Sequence, residues 1–346
     1  MELAHTAGNA GTEDRAGGAS LEFRGVCKRY GRDGAAAVED LSLTVPAGSI
    51  CVLVGPSGCG KTTSLKMVNR LIEPSSGQIL LDGVDVTTAD VTELRRGIGY
   101  VIQQVGLFPH LTVGDNVAVV PGLKGWPAGR KAARTKELLS LVGLDPASYS
   151  RRYPSQLSGG ERQRVGVARA LAADPPLMLM DEPFAAVDPI ARERLQDEFL
   201  RLQRELAKTI LFVTHDIDEA VKMGDFIAVM DRGRLVQFGA PDRILARPAS
   251  DFVAALVGAD RGLKRLSLRT IRHLGTEPLD GRTGLPQFAP ETKLRDALSI
   301  LLAADTRGGI ALDDAGKPRG LVTVEAIARA LDAEITDAEA TDGAAG

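Results

Sequence analysis

The feature that most constrains this chain is a glycine-spaced turn set between an apolar run and a helical pattern. Ile50 to Val54 (ICVLV) reads as a buried strand, and the chain from Thr62 onward reads as a helix. Between them, Gly55-x-x-x-x-Gly60-Lys61-Thr62 has the spacing of a phosphate-binding loop. Gly55, Gly58 and Gly60 permit the tight turn. The backbone N–H groups of the segment completed by Pro56, Ser57, Cys59 and Thr63 can then cradle phosphate oxygens. Lys61 is placed to reach the β- and γ-phosphates, and the Thr62 hydroxyl to ligate Mg²⁺. A strand leading into such a loop and out into a helix fixes an α/β core.

Two further segments handle phosphate in ways that make sense only beside that loop. In PPLMLMDEPF, Leu177 to Met180 is a short apolar run ending in Asp181 and Glu182, as expected of a buried parallel strand with acids at its C-terminal edge. Ligands of open α/β sheets bind at that edge. Asp181 is expected to hold Mg²⁺ through water, and Glu182 to polarise the water that attacks the γ-phosphate. In LSGGERQRVGVARAL, Ser158, Gly159 and Gly160 open an apolar-periodic helix, whose N-terminal N–H groups form an anion site. By itself that segment reads equally well as a turn and cap.

The order phosphate loop, LSGGE, LMLMDE, then VTHD (Val213 to Asp216) resembles the nucleotide-binding subunit of ATP-binding cassette (ABC) transporters, over roughly residues 20 to 260. The resemblance implies further roles. Tyr30 in KRYG is the aromatic that stacks on adenine. Gln103 is the glutamine that touches Mg²⁺ and senses the membrane subunit, with Gln104 the alternative and the distance to Pro109-His110 favouring Gln103. Glu161 is the fifth signature position, Asp188 belongs to the loop that crosses the dimer interface, and His215 contacts the γ-phosphate. Two positions depart from the family pattern: Glu161 stands where Gln is usual, and Ala185 where Ser is frequent. In the family two subunits pair head to tail, so Ser158 and Gly160 of one close on the ATP held by the other. The pair drives integral membrane permease subunits through a groove near Gln103, Phe108 and His110. Whole segments, YVIQQVGLFPHLTVGDNVAVVP and RYPSQLSGGERQRVGVARALAADPP, resemble the ATPases of importers for quaternary ammonium osmoprotectants such as glycine betaine, choline, carnitine and proline betaine. An extracytoplasmic substrate-binding protein would then deliver the solute, and the chain would act at the cytoplasmic face of the membrane. The alternatives are an importer of another solute (an amino acid, sulfonate or polyamine) and a non-transport cassette ATPase.

Composition fits this class. The net charge of −3 gives no basic excess pointing to nucleic acid, and the non-transport alternative would call for heptad insertions or paired Cys motifs that the chain lacks. No apolar run reaches the length of a bilayer span. Cys27 and Cys51 fall in expected strands and Cys59 in the phosphate loop, so reduced thiols are expected, with Cys59 a candidate for attack by thiol reagents.

The expected architecture is an α/β cassette: a mixed sheet core, a β-subdomain carried by residues 21–55 and 78–87, and a helical subdomain over about 106–165 bearing the signature. GWPAGR is expected to break it and KAARTKELLSLVGL to form an amphipathic helix ended by Gly143. Leu195, Phe199, Leu202 and Leu206 mark one helix face, and FIAVMDRGRLVQFG a hairpin turning at Asp231 to Arg234. Domain bounds are read as a disordered leader (1–20), the cassette (21–258), a small α+β domain (259–331) and an acidic disordered tail (332–346). In 259–331, Leu294, Leu298, Leu301 and Leu302 share a helix face, and the following strand, Asp-Ala-Gly turn, strand and helix resemble one cystathionine-β-synthase-type (CBS) motif. Ala326 stands where adenosine-binding versions commonly carry Asp. The tail acids are candidates to pair with Arg261, Lys264 and Arg265 at low salt.

Overall fold

The computed structural model describes residues 17–31, 35–103, 106–185, 187–279 and 284–331. The chain opens with strands β1 (Leu21–Arg29), β2 (Ala36–Val45) and β3 (Ile50–Val54), then helix α1 (Lys61–Val68). Next come β4 (Ser76–Leu81), β5 (Val84–Asp85), α2 (Val91–Gly97) and β6 (Ile98–Val101). A helical run follows: α3 (Val113–Leu123), α4 (Ala128–Leu141), α5 (Pro146–Tyr149) and α6 (Gly159–Leu171). The chain then returns to the sheet through β7 (Leu177–Asp181), α7 (Pro189–Leu206), β8 (Thr209–Val213), α8 (Ile217–Met223), β9 (Phe226–Asp231) and β10 (Arg234–Gly239). Helices α9 (Pro241–Ala246), α10 (Asp251–Val257) and α11 (Arg261–Ser267) lead to β11 (Gln287–Phe288), α12 (Leu294–Ala303), β12 (Gly308–Leu312), β13 (Pro318–Thr323) and α13 (Val324–Arg329).

The central sheet has six strands in the order β10-β9-β3-β8-β7-β6. Strands β9, β3, β8, β7 and β6 run parallel, and β10 closes the edge antiparallel to β9 as the hairpin expected of FIAVMDRGRLVQFG. Every residue of β3, β7 and β8 is buried, which explains why these strands read as unbroken apolar runs rather than alternating ones. The pleat still sorts their side chains. Cys51, Leu53, Leu177, Leu179, Leu211 and Val213 enter a core shared with α1 and the four-stranded antiparallel sheet β2-β1-β4-β5. Their neighbours Val52, Val54, Met178, Met180, Ile210 and Phe212 enter a second core with α3, α4, α6, α7 and α8.

Individual helix ends and faces follow the sequence pattern. Gly143 ends α4 with φ of 69°, and Leu195, Phe199 and Leu202 of α7 are buried with Leu206 packed at their edge. The break at GWPAGR is shorter than expected, since α4 already begins at Ala128, just past Pro127.

A third core, built from Leu266, Ile271, Phe288, Leu294, Ala297, Leu301, Ala311, Val322 and Ile327, holds a three-stranded sheet β11-β12-β13 under α11, α12 and α13. On α12 the apolar face is narrower than the sequence suggested. Leu294, Ala297 and Leu301 are buried and Leu298 packs beside them, but Leu302 is 66% exposed because it lies one position round the helix from Leu301. This unit is pinned to the cassette by charge. Arg265 Nε donates to Asp242 Oδ1 at 2.7 Å and Lys264 Nζ meets Asp218 Oδ1 at 2.9 Å across the boundary, while within the unit Arg265 Nη1 donates to the Leu331 carbonyl at 2.5 Å and Lys264 Nζ meets Asp260 Oδ1 at 3.3 Å. Lys264 and Arg265 are therefore already engaged by carboxylates of the folded chain. The tail itself lies outside the described residues, as do residues 1–16.

The expected leader boundary also moves. Ala19 is fully buried, its N–H donates to Pro176 O at 3.2 Å, and the Ser20 N–H donates to Asp82 Oδ1 at 2.7 Å, so packing begins before residue 21.

Candidate active site

The loop between β3 and α1 takes its shape from three glycines with left-handed φ: Gly55 at 152°, Gly58 at 79° and Gly60 at 105°. Two of them also have no room for a side chain. A Cβ on Gly55 would sit 2.1 Å from the Met230 carbonyl oxygen of β9, and one on Gly60 would sit 2.5 Å from the Ala37 carbonyl oxygen of β2. The loop is thus clamped between the central sheet and the antiparallel sheet, while Pro56, Ser57 and Gly58 form an exposed crest. Lys61 is buried, and its ammonium donates to the Gly55 carbonyl at 2.6 Å and the Pro56 carbonyl at 2.9 Å, inside the curl of the loop. Thr62 and Thr63 follow on the first turn of α1. Tyr30 follows β1 in the open, 53% exposed, with Lys28 Nζ 5.2 Å from its ring centroid.

Cys59 is buried under this loop. Burial pushes its thiol up, against the opposing pull of Lys61, so the thiolate needed for reaction with thiol reagents is disfavoured. Cys51, fully enclosed in β3, is pushed up further by burial and the nearby Asp225.

Strand order brings the acids of β7 to the loop. β3 and β7 both flank β8, and their C-terminal ends emerge side by side. The Thr62 hydroxyl donates to Asp181 Oδ1 at 2.9 Å. Burial pushes the Asp181 carboxyl up, while the Thr62 hydrogen bond and the nearby Lys66 and Lys61 charges oppose this. A hydroxyl and a carboxylate oxygen at this distance form an all-oxygen donor pair, the type that suits Mg²⁺.

Glu182 follows with a left-handed φ of 46°, unusual for a residue with a long side chain, and its N–H donates to the Val213 carbonyl at 3.0 Å. That turn ends the strand and swings the carboxylate over the sheet edge. Its Oε2 accepts from Gln103 Nε2 at 2.9 Å, and its Oε1 lies 3.3 Å from His215 Nδ1. Gln103 arrives from the end of β6 and His215 from the end of β8, so Thr62, Gln103, Asp181, Glu182 and His215 share one edge. Gln104 lies outside the described residues.

The signature segment stands apart. Ser158 is the N-cap of α6, with its Oγ accepting from the Glu161 N–H at 3.3 Å, and Ser158 and Gly159 are exposed. Glu161 is placed otherwise than a nucleotide-contacting residue would be, because both its oxygens are turned onto protein. Oε2 accepts from the Ser158 N–H at 2.6 Å and Oε1 from the Tyr149 hydroxyl at 2.5 Å. Those donors, Tyr149 first, hold its carboxyl down to about 2. Asp188 caps α7 by accepting from the Ala191 N–H at 3.0 Å, and it too faces outward with Ala185 and Ile190. Phe108 and His110 form an exposed edge-to-face pair with ring centroids 6.0 Å apart.

Some supporting residues left no trace in the sequence pattern. Gln196 of α7 donates to Glu219 Oε1 of α8 at 3.0 Å, both buried, tying together the helices that follow Asp188 and His215. Burial pushes the Glu219 carboxyl up. Asp225 Oδ2 accepts from the Ile50 N–H at 2.8 Å and anchors the start of β3. These pairs join ordinary polar residues far apart in the chain, so no local spacing announces them.

A glycine-clamped phosphate loop, with its lysine and threonine, faces an acid pair at the C-terminal edge of a parallel sheet, the arrangement of a phosphate-loop nucleoside triphosphatase. The comparisons agree and narrow it: the family model for ABC transporters matches residues 38–185. The chain belongs to the ABC transporter family, as one of its ATP-binding subunits. It is 51% identical over 286 residues to the osmoprotectant import ATP-binding protein OsmV of Salmonella typhimurium, covering 83% of this chain and 74% of that protein. It is 47% identical over 307 residues to the glycine betaine/carnitine/choline transport ATP-binding protein OpuCA of Bacillus subtilis, covering 89% and 79% respectively. Among solved structures, a dimeric ATP-binding cassette in a post-hydrolysis state with ADP and Pi superposes with a TM-score of 0.58 at 32% identity, over 64% of this chain and 98% of that one. Among the described residues, no helix is long and apolar enough to cross a membrane.

Proposed function

We propose that this chain is the ATP-hydrolysing subunit of an importer for a quaternary ammonium osmoprotectant of the glycine betaine, choline or carnitine type. The observation that carries the enzymatic part is the single cluster Thr62–Asp181 and Gln103–Glu182–His215 beside the phosphate loop. The solute class rests on the relatives named above, since a cytosolic ATPase touches no transported solute.

In this reading the backbone from Gly55 to Thr63 and the Lys61 ammonium bind the phosphates, and Tyr30 stacks on the adenine. Thr62 and Asp181 would hold Mg²⁺, with Gln103 as a further oxygen ligand. Bound Mg²⁺ supplies positive charge to the β- and γ-phosphate oxygens. Glu182 takes the proton of the attacking water. Its carboxylate is held for this by Gln103 Nε2, which donates to one oxygen at 2.9 Å, and by the His215 ring, whose Nδ1 lies 3.3 Å from the other. His215 contacts the γ-phosphate from the end of β8.

Ser158 and Gly159 are exposed and Gly160 is half-buried at the start of α6, and the Ser158 N–H and Oγ are both hydrogen-bonded to Glu161 of its own helix. Two copies pairing head to tail, with Asp188 at the crossing, would complete each site. Closure and reopening would be passed through the Phe108–His110 region to integral membrane permease subunits, which hold the chain at the cytoplasmic face of the membrane. An extracytoplasmic binding protein would deliver the solute.

We assign residues up to 258 to the cassette and 259–331 to a regulatory unit of single CBS-motif type, with the β-α-β-β-α order of β11, α12, β12, β13 and α13 as support. Ala326 lies in the first turn of α13, its N–H donating to the Thr323 hydroxyl oxygen at 3.1 Å, and offers no carboxylate to a ribose.

The test is uptake of labelled glycine betaine, choline and carnitine under salt stress, with and without this chain. Loss of uptake on deletion, restored by the wild type and not by Glu182→Gln, is the expected result. Unchanged uptake of all three, with loss of an amino acid, sulfonate or polyamine instead, overturns the solute assignment and leaves the ATPase assignment standing.

A further inference from the structure

The signature of this chain carries a carboxylate at its fifth position, three residues from the serine that the composite-site reading sends to a phosphate. A negative side chain in the first turn stabilises a helix N-terminus, but it competes with any anion meant to bind there. How Glu161 is held therefore matters.

Glu161 extends back along α6 so that Oε2 receives the Ser158 N–H at 2.6 Å, while the Ser158 Oγ receives the Glu161 N–H at 3.3 Å. The reciprocal pair fixes Ser158 at the mouth of the helix, and the Ser158 side chain also helps hold the Glu161 carboxyl down. This arrangement needs Glu161 in one rotamer. Its long side chain, if untied, would lose the interaction to rotamer freedom.

The tie comes from outside the helix. The Tyr149 hydroxyl donates to Glu161 Oε1 at 2.5 Å. Tyr149 closes the short helix α5, packs at the edge of the large core, and carries the Arg152 guanidinium 4.2 Å from its ring centroid. Its ring is therefore fixed independently of the signature loop. The phenol draws one carboxylate oxygen away from the helix mouth, and the Ser158 N–H occupies the other.

We propose that Tyr149 is a positioning residue: by locking the Glu161 carboxylate it holds Ser158 and the first turn of α6 in the form that meets the γ-phosphate of the ATP held by the second copy. This rests on the composite-site reading given above. It also gives the Glu that stands where the family pattern has Gln a use, since the Tyr149 O–H makes a charge-assisted bond to a carboxylate that it would make more weakly to a neutral amide oxygen.

The experiment uses the full chain carrying Glu182→Gln, so that bound ATP persists. Monomer and dimer are followed by light scattering as ATP is raised, and the affinity of the monomer for a fluorescent ADP analogue is measured alongside. Tyr149→Phe keeps the ring and its packing. It should raise the ATP concentration at half-dimerisation about three- to tenfold, the effect of losing one charge-assisted hydrogen bond in a partly solvated place, with ADP-analogue affinity unchanged. In a Glu161→Ala background, Tyr149→Phe should add nothing. An unshifted midpoint in Tyr149→Phe, or an equal shift with and without the Glu161 carboxylate, overturns the proposal. Ser158→Ala separates the two levels. If it dimerises like its parent, the composite site itself falls; if it fails to dimerise while Tyr149→Phe is normal, only the role of Tyr149 falls.

Discussion

The two halves of the nucleotide machinery are built by opposite means. The hydrolytic half is long-range: Thr62 meets Asp181 across 119 residues and Gln103 meets Glu182 across 79. It is assembled by the fully buried strands that deliver those side chains to one edge. The signature half is local: Ser158 and Glu161 are three residues apart and Tyr149 is twelve from Glu161, all near the surface at one helix end. A site made by a sheet inherits the stability of the core. A site made by a cap depends on a few hydrogen bonds and is correspondingly easier to loosen or to tune.

That contrast can be broken first at the chemistry. Glu182→Gln should bind ATP yet hydrolyse it at least about a hundredfold more slowly, the usual scale for loss of a general base. Steady-state phosphate release together with a nucleotide-binding titration measures both, and near-normal turnover would remove Glu182 from its role.

The next effect lies in the core. Leu179→Ala, in the fully buried middle of β7, should cost about 2–5 kcal/mol of unfolding free energy through the cavity it leaves. It should weaken nucleotide binding as well, because Asp181 and Glu182 ride on that strand. Denaturant unfolding measures the first and titration the second; a destabilised variant with unaltered nucleotide affinity would show that the sheet does not transmit to its edge.

Ser158→Ala should cost only about 1 kcal/mol, the value of an N-cap, and leave monomeric nucleotide affinity alone while abolishing ATP-driven pairing. Thermal unfolding and light scattering report the two parts.

The smallest effect is electrostatic. Glu161 has its carboxyl depressed to about 2 from an ordinary 4.5, so its stabilising contribution is fully present at neutral pH and is lost as pH falls through that window. The difference in melting temperature between wild type and Glu161→Gln should be constant above about pH 5 and should narrow on acidification toward about pH 2. A difference that stays flat with pH would mean that the Tyr149 and Ser158 bonds do not favour the charged form.

The same division separates what could be read in advance from what could not. The turn at Gly55 to Thr62, the cap at Ser158 and the apolar run ending in Asp181-Glu182 are local patterns, and each forms as its residues require. Leu302 shows where a local pattern misleads: adjacent to buried Leu301, it points to solvent because a helix turns about 100° per residue. Gln196 with Glu219, Asp225 with the start of β3, and Lys264 with Asp218 were invisible, because each joins residues whose types are commonplace and whose meeting depends on how helices and strands stack. The burial of Cys59 belongs with them: a loop cysteine is exposed or enclosed according to what packs over the loop, here β2 and β9.

The sequence by itself determined the phosphate loop, the strand that carries the acids, the signature helix and the kind of chemistry they serve, because glycine conformations, caps and apolar runs are set within a few residues. Tertiary structure decided the company those pieces keep. The sheet order β3-β8-β7-β6 sets Thr62 against Asp181 and gathers Gln103 and His215 around Glu182. Non-sequential strand pairing of that kind is chosen by the packing of two whole cores. It also left Ser158 facing outward and gave Glu161 to Tyr149, since those positions depend on where α5 and α6 come to rest against the core.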